Sequence, residues 1–433
     1  MTFFVTQAEF KSTARRGAIR RRRLGLLVSI ACLIARPALA QFVDRSYPAA
    51  VANDFADQGL PLLNAPPQEI GTQGLHAGTF WITPELDSSN GYDSNASAQA
   101  KAGPSLFTRN QADITARSDW GRDSLYGYAS LDDTRYAAEP QQDTTDATIL
   151  GRGTVALDRG VATLLLSHLQ LNETPRDLDL PTLRTPAPYS VDAARASYAE
   201  DLGPLTITPV MDYERWRYTN VSQQTLTYQD RDVLVGGMTG QYQVADGRRL
   251  LIVLRGVENL YVTPQPGVPS RNAVGIDALA GVEDQEGPLR LRVLAGYQQR
   301  SFAAGAGKPL VGPIVEATAI WRPTGLTTVS GSLLHTIADS ALPNVSVDTL
   351  TEAQLEIDHE LRRDIILQAG VRSDAYAYPQ DAGSATLYSS SLGATWLVNR
   401  HVRLGLSYAY ARRNSAGSSF DESIVQLQLH LGL

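Results

Sequence analysis

Apolar and polar residues alternate over most of the chain from about Thr79 to its end. Residues 289–300 show the pattern most clearly, because every second residue is apolar: Leu289, Leu291, Val293, Ala295 and Tyr297. The positions between them are mostly arginine, glycine and glutamine, and residues 402–410 and 425–433 repeat the alternation. A period of two residues is that of a β-strand with two chemically different faces. We therefore expect consecutive strands of ten to sixteen residues.

The connections between these segments alternate in length. Tight turns are predicted at 120–123, 158–160, 201–204, 245–248, 285–288, 322–325, 360–363 and 399–401. Longer polar stretches lie at 91–103, 136–145, 172–189, 218–226, 262–272, 302–310, 338–349, 378–385 and 412–420. Eight short and nine long connections predict about 18 strands (16–20), with both termini on the short-turn side. This is typical of an all-β, closed antiparallel transmembrane β-barrel with periplasmic termini, since sandwich strands are usually about 5–6 residues long.

The N-terminal segment differs from the rest. Residues 1–40 have the features of a cleaved secretory signal peptide: a basic stretch, an apolar run from Leu24 to Ala35 and a small-residue site ending at Ala40. The run is too short to span a bilayer, which needs roughly 20 residues. We expect residues 41–75 to form a proline-containing periplasmic arm or a small lumen insert, and residues 76–433 to form the barrel in the cell outer membrane.

Charge and cysteine content narrow the partners. Residues 1–40 hold eight of the 38 Lys and Arg residues and one of the 45 acidic residues, so the remainder carries a net charge of −14. This charge argues against a nucleic-acid partner. The single cysteine, Cys32, lies within the predicted signal peptide, so we expect neither a disulfide nor a thiolate metal site. The expected partners are outer-membrane lipid and the barrel-assembly machinery, with no cofactor.

The polar faces of the predicted strands supply the candidate lumen residues, because the apolar faces meet lipid. The candidates are Arg117, Arg290, Arg292, Arg300, Arg372, Arg403, Glu352, Glu356 and Asp358. Two arrangements are open. Arginines and carboxylates on opposite walls would orient a polar or anionic chain, whereas ion pairs would brace a water-filled barrel.

The connection 172–189 is the most distinctive of the long ones. It contains four prolines, Pro175, Pro181, Pro186 and Pro188, and three acidic residues. Proline restricts the backbone, so this connection is expected either to fold inward as a constriction or to form an external lid.

Catalytic chemistry is not expected. Ser167 and His168 are the only adjacent Ser and His, and neighbouring strand residues point to opposite faces, so they cannot form a dyad. The six histidines are scattered singly without metal-ligand spacing. We therefore interpret the chain as a protein that is not an enzyme.

Several segments resemble the putative β-barrel porin 2 family, and the resemblance covers nearly all of the chain after the predicted signal peptide. They are FWITPEL at 80–86, YDSN at 92–95, SDW at 118–120, WRPT at 321–324, LTTV at 326–329, DHEL at 358–361, LVNR at 397–400 and YAYARRNS at 408–415. The resemblance implies an outer-membrane barrel that takes part in exopolysaccharide or capsule export, as a conduit or accessory channel with polysaccharide and periplasmic export components as partners. It carries over no functional residue. The alternatives are a general diffusion porin for small solutes and a closed structural or adhesive barrel.

Overall fold

The computed structural model describes residues 74–178, 183–221, 224–263, 267, 270–303, 308–342, 345, 347–378, 383–415 and 418–433. The predicted signal peptide and residues 41–73 of the predicted arm lie outside these residues.

Most of the described residues belong to antiparallel β-strands. Their bounds are β1 Leu75–Ala77, β2 Phe80–Asp93, β3 Ser105–Ser118, β4 Ser124–Tyr136, β5 Thr144–Ala156, β6 Gly160–Glu173, β7 Ala187–Leu202, β8 Leu205–Tyr218, β9 Arg231–Ala245, β10 Arg248–Tyr261, β11 Ala273–Asp284, β12 Leu289–Phe302, β13 Leu310–Thr324, β14 Thr327–Asp339, β15 Val347–Arg362, β16 Ile365–Ala377, β17 Ser384–Leu397, β18 Val402–Ser415 and β19 Phe420–Gly432. Two short 3-10 helices, Pro140–Gln142 and Thr227–Gln229, interrupt the long connections.

The strands β2 to β19 close into a barrel of eighteen strands. Each pairs with its sequence neighbours, and β19 pairs with β2 in a register that runs from Ile424 opposite Asp93 to Gly432 opposite Glu85. The predicted closed antiparallel barrel is therefore confirmed, including the strand count. Closure leaves no long unpaired strand edge, which is what a lipid environment requires.

The short strand β1 extends the seam of the barrel. The amide of Gly74 donates to the carbonyl oxygen of Leu433 at 3.0 Å. Beyond that point β1 pairs with the first residues of β2, with Leu75 opposite Ile82 and Ala77 opposite Phe80. Thus β1 continues the line of β19 toward the tight-turn end of the barrel.

Short and long connections lie at opposite ends of the barrel, as the sequence predicts. All eight predicted tight turns lie between the expected strand pairs. In three of these turns the backbone takes a positive φ at glycine, at Gly203 (+77°), Gly247 (+66°) and Gly287 (+74°). Glycine adopts this conformation without the steric cost that a Cβ brings.

The two faces of the strands have different compositions. On β12, Leu289, Val293 and Tyr297 are exposed on the outer surface, whereas Arg292 and Arg300 are buried. Exposed leucine, isoleucine and valine recur at alternate positions on neighbouring strands. This outer apolar surface is the one that meets lipid in a transmembrane barrel. Among the described residues no helix has the length and hydropathy needed to cross a bilayer.

Candidate functional site

The nine predicted lumen residues lie on β3, β12, β15, β16 and β18. Each occupies a strand position of the same parity as the buried residues of that strand, on the face opposite to the exposed apolar side chains. Their placement on one face follows from the pleat, because successive side chains point to opposite sides of a strand. That they line an aqueous path stays a prediction.

Two of the predicted arginines form buried ion pairs with carboxylates. Arg300 Nη1 donates to Asp277 Oδ1 on β11 at 2.6 Å. Arg372 Nε lies 2.8 Å from Asp374 Oδ2 on the same strand, and its Nη2 lies 3.1 Å from Glu352 Oε1 on β15.

A third predicted arginine belongs to a row of alternating charges. Arg292 on β12 lies directly opposite Glu283 on β11, and Glu283 lies opposite Arg249 on β10. Arg249 Nη1 is 2.8 Å from Glu283 Oε1.

Further pairs involve arginines that the sequence did not single out. Arg195 on β7 binds Asp212, the residue directly opposite on β8. Arg255 lies between two carboxylates, those of Asp277 and Glu316. Residues directly opposite on adjacent strands have Cβ atoms about 5 Å apart, so opposite charges there attract. Of the two predicted arrangements, the described residues show ion pairing.

The structure does not bring the remaining predicted residues together in one cluster. The guanidinium carbon of Arg117 lies 5.3 Å from the ring centre of Tyr126. The others lie on three separate strands: Arg290 on β12, Glu356 and Asp358 on β15, and Arg403 on β18.

The connection between β6 and β7 folds into the barrel. Its described residues are 174–178, which we call the inward arm, and 183–186. Arg176 of the inward arm forms a bidentate ion pair with Glu422 of β19, with Nε to Oε2 at 3.0 Å and Nη2 to Oε1 at 2.6 Å. It also binds Asp93 of β2. The Asp93 side chain is 0 % exposed and that of Glu422 is 2 % exposed.

The charge of Arg176 is retained in this environment. Burial by itself lowers the pKa of Arg176, but the neighbouring Glu422, Tyr136 and Asp93 together outweigh burial, so the pKa lies well above its ordinary value. The guanidinium that the inward arm presents to the wall is therefore positively charged.

A second arginine holds the inward arm against the same wall. Arg413 of β18 is fully buried, and its Nη1 donates to the carbonyl oxygens of Pro175 at 2.6 Å and Asp177 at 3.3 Å. Asp177 in turn accepts from the amide of Thr174 at 2.5 Å, which closes a turn within the arm.

Apolar contacts attach the connection to two different walls. Leu178, 2 % exposed, packs with Leu350, Tyr376 and Phe420, which belong to β15, β16 and β19. Leu183 belongs to a different cluster, formed mainly by strands β4 to β10. The connection thus contacts both sides of the lumen, as expected of the constriction rather than of the external lid.

A second link joins long connections across the lumen. The Tyr228 hydroxyl, in the β8–β9 connection, donates to the carbonyl oxygen of Ala341 in the β14–β15 connection at 2.6 Å. Arg271, before β11, stacks on the Tyr228 ring at 5.6 Å and donates to the carbonyl oxygen of Ser340.

Sequence reasoning missed Arg176 and Arg413. Each is one arginine among many in a polar region, and its partners are more than 80 residues away or on the backbone. Only the proline content of 172–189 pointed to this connection.

The adjacent Ser167 and His168 lie on opposite faces of β6. Ser167 is buried, whereas His168 is exposed and its Nδ1 lies 2.7 Å from Asp192 Oδ1. No group of three or more His, Cys, Asp and Glu residues there could hold a metal ion.

The sequence also matches a family model. The model for the family described as putative beta-barrel porin 2 matches residues 67–432. The chain belongs to this family. The resemblance drawn from the sequence motifs is therefore confirmed, and the family and the fold make the chain an outer-membrane porin-like β-barrel. No curated protein matches the chain.

The chain is similar to several solved structures at low sequence identity. OccK1 (OpdK) from Pseudomonas aeruginosa is 12% identical, with 81% of this chain and 99% of that chain covered and a TM-score of 0.47. OccK2 (OpdF) from the same organism, in complex with glucuronate, is 13% identical, with coverage of 81% and 98% and a TM-score of 0.47. A BenF-like porin from Pseudomonas fluorescens Pf-5 is 10% identical, with coverage of 82% and 99% and a TM-score of 0.47.

Proposed function

We propose that the protein is a passive outer-membrane channel for small polar solutes. The observation that carries this proposal is the inward arm, which Arg176 and Arg413 hold against the wall formed by β2, β18 and β19. An 18-stranded barrel is wide enough for an aqueous channel, by comparison with porins of 16–18 strands. A connection folded into such a channel narrows it, so the solute that passes is small.

The nine predicted residues then line the aqueous path. Buried ion pairs such as Arg300–Asp277 and Arg372–Asp374 brace the wall. Charge-assisted bonds of this kind hold side chains in place more strongly than neutral hydrogen bonds do. Residues such as Arg117, which is exposed, are the ones that reach the solute.

Reconstitution of the purified protein in a planar bilayer tests this proposal. We expect stepwise single-channel currents in potassium chloride, and liposome swelling with small sugars that declines as the solute grows. A barrel whose lumen is permanently blocked would give neither single-channel currents nor liposome swelling. That result would overturn the proposal and leave the closed structural or adhesive barrel.

The second candidate function is export of an exopolysaccharide or capsule polymer, with the barrel as the conduit or as an accessory channel. The family resemblance favours this candidate. A polymer chain would have to displace the inward arm, and with it the ion pairs of Arg176. Deletion of the gene tests this candidate directly. A fall in secreted polymer with a rise in periplasmic polymer would favour export over diffusion of small solutes, and unchanged pools would exclude export of that polymer.

A further inference from the structure

Aromatic rings and guanidinium groups alternate across five adjacent strands near the tight-turn end of the barrel. The register places His76 of β1 opposite Trp81 of β2, Trp81 opposite Arg117 of β3, Arg117 opposite Tyr126 of β4, and Tyr126 opposite Arg152 of β5. Directly opposite residues share a face of the sheet. With strands about 4.8 Å apart, this ring–guanidinium row is about 19 Å long.

The side chains of the row contact one another. The guanidinium carbons of Arg117 and Arg152 lie 5.3 Å and 5.0 Å from the ring centre of Tyr126, one from each neighbouring strand. The ring centres of His76 and Trp81 are 4.8 Å apart. Cation–π contacts of this kind hold a guanidinium by its flat face.

Exposure differs along the row in a way that favours binding. Tyr126 is 3 % exposed and belongs to the inner cluster of β4 to β10, so it fixes the row to the inward face. Trp81 remains 43 % exposed although His76 lies against it. Arg117 is exposed and Arg152 half-buried. An open ring thus lies beside a guanidinium whose orientation is already restricted.

We propose that this row is a binding site for a ring-shaped carboxylate, such as an aromatic acid or a sugar acid. The ring of the solute stacks on Trp81, and its carboxylate accepts from the planar N–H groups of Arg117, one strand away. A guanidinium matches a carboxylate with two parallel hydrogen bonds, and stacking on a neighbouring ring adds an apolar contact. Because the arginines are already oriented by Tyr126, little side-chain freedom is lost on binding.

This inference rests on the proposed function, since a lumen site affects passage only if solutes enter the lumen. It gives the channel a substrate class, namely small cyclic acids. The tight-turn end is periplasmic in outer-membrane barrels, so the row lies at the periplasmic mouth.

Binding to the folded full-length mature protein in detergent tests the site without requiring conductance. The probes are benzoate, galacturonate, acetate as a carboxylate without a ring, and glucose as a ring without a charge, each titrated by calorimetry. We expect benzoate or galacturonate to bind at least tenfold more tightly than acetate and glucose. The probe that binds more tightly, benzoate or galacturonate, shows whether the ligand is an aromatic acid or a sugar acid.

The variants Trp81→Ala and Arg117→Gln should each weaken binding of the preferred acid about tenfold, the loss expected for one good contact. Arg248→Gln is the matched control, because it removes an exposed arginine at the same end of the barrel, on β10 and outside the row. It should change binding less than twofold. If Arg117→Gln does not fold, as judged by heat-dependent mobility on gels, Arg152→Lys keeps the charge but loses the planar contact with Tyr126 and should weaken binding.

The site is overturned if neither benzoate nor galacturonate binds more tightly than acetate, or if Arg117→Gln and Arg248→Gln cause equal losses. Either result would leave only general attraction of anions. Failure of the proposed function is distinguished by a different measurement. It would appear as an absence of current in the planar bilayer, independently of the calorimetric result.

Discussion

Replacement of Arg176 by glutamine should release the inward arm. The substitution leaves two carboxylates, those of Asp93 and Glu422, buried in the wall without the guanidinium that binds both. Breaking a buried ion pair by removing one partner costs about 3–5 kcal/mol. We take the lower end, about 3 kcal/mol, because the Arg176 side chain is 23 % exposed and water can partly replace it.

The opposing terms are the apolar contact of Leu178 and the hydrogen bonds that Arg413 donates to the arm. Full burial of a leucine side chain stabilises by about 1.5–3 kcal/mol, and Leu178 keeps this contact only while the arm stays inside. A loss of about 3 kcal/mol changes the ratio of attached to released arm by roughly 100-fold. The contacts of Leu178 and Arg413 remain in the variant, so the arm is released for part of the time rather than permanently.

Single-channel recording measures this effect. Arg176→Gln should show a higher mean conductance with larger current fluctuations, and a larger size limit in liposome swelling. The matched control is Arg135→Gln, because Arg135 forms its ion pairs with Asp133 and Asp143 while 52 % exposed, where such pairs contribute only about 0–1 kcal/mol. It should conduct like the unmodified protein.

A triple variant separates release of the arm from general loss of stability. Adding Asp93→Asn and Glu422→Gln to Arg176→Gln removes the uncompensated charges, so stability should recover while conductance stays high. The reasoning would be refuted by a folded Arg176→Gln channel whose conductance, fluctuations and size limit equal those of the unmodified protein.

Three further outcomes follow from the fold. Leu406→Arg places a charge on the outer apolar surface and should make folding into vesicles less favourable by about 2–4 kcal/mol. Ser407→Arg, on the inward face, should destabilise the barrel less. Tyr228→Phe removes the hydroxyl that donates to the carbonyl oxygen of Ala341. We expect the free energy of unfolding to fall by about 1–2 kcal/mol and amide exchange in both connections to become faster. Asp277→Asn removes the carboxylate that two inward arginines share and should lower the urea midpoint by an amount equivalent to about 3 kcal/mol.

The barrel itself could be predicted from local sequence. The alternation in 289–300 places Arg292 and Arg300 on one face and Val293 and Tyr297 on the other, and the structure keeps this division. A period of two is a local property of a strand, and turn residues mark its ends. The strand count and the common location of the termini follow from these features alone.

The partners of the lumen charges required the tertiary structure. Arg300 binds Asp277, 23 residues away, only because β11 and β12 pair in one particular register. A shift of one residue would turn every side chain of a strand to the other face. The ring–guanidinium row depends in the same way on five strands that pair side by side, and its residues are not close in sequence.

The inward arm shows the limit of sequence reasoning most clearly. The prolines of 172–189 indicated a stiff connection, but stiffness does not set its direction. The direction depends on Arg176, whose acidic partners on β2 and β19 are 83 and 246 residues away. Those carboxylates become neighbours only when β19 pairs with β2. Closure of the barrel, a global event, therefore decides where this connection lies, whereas the local alternation of residues had already determined that a barrel forms.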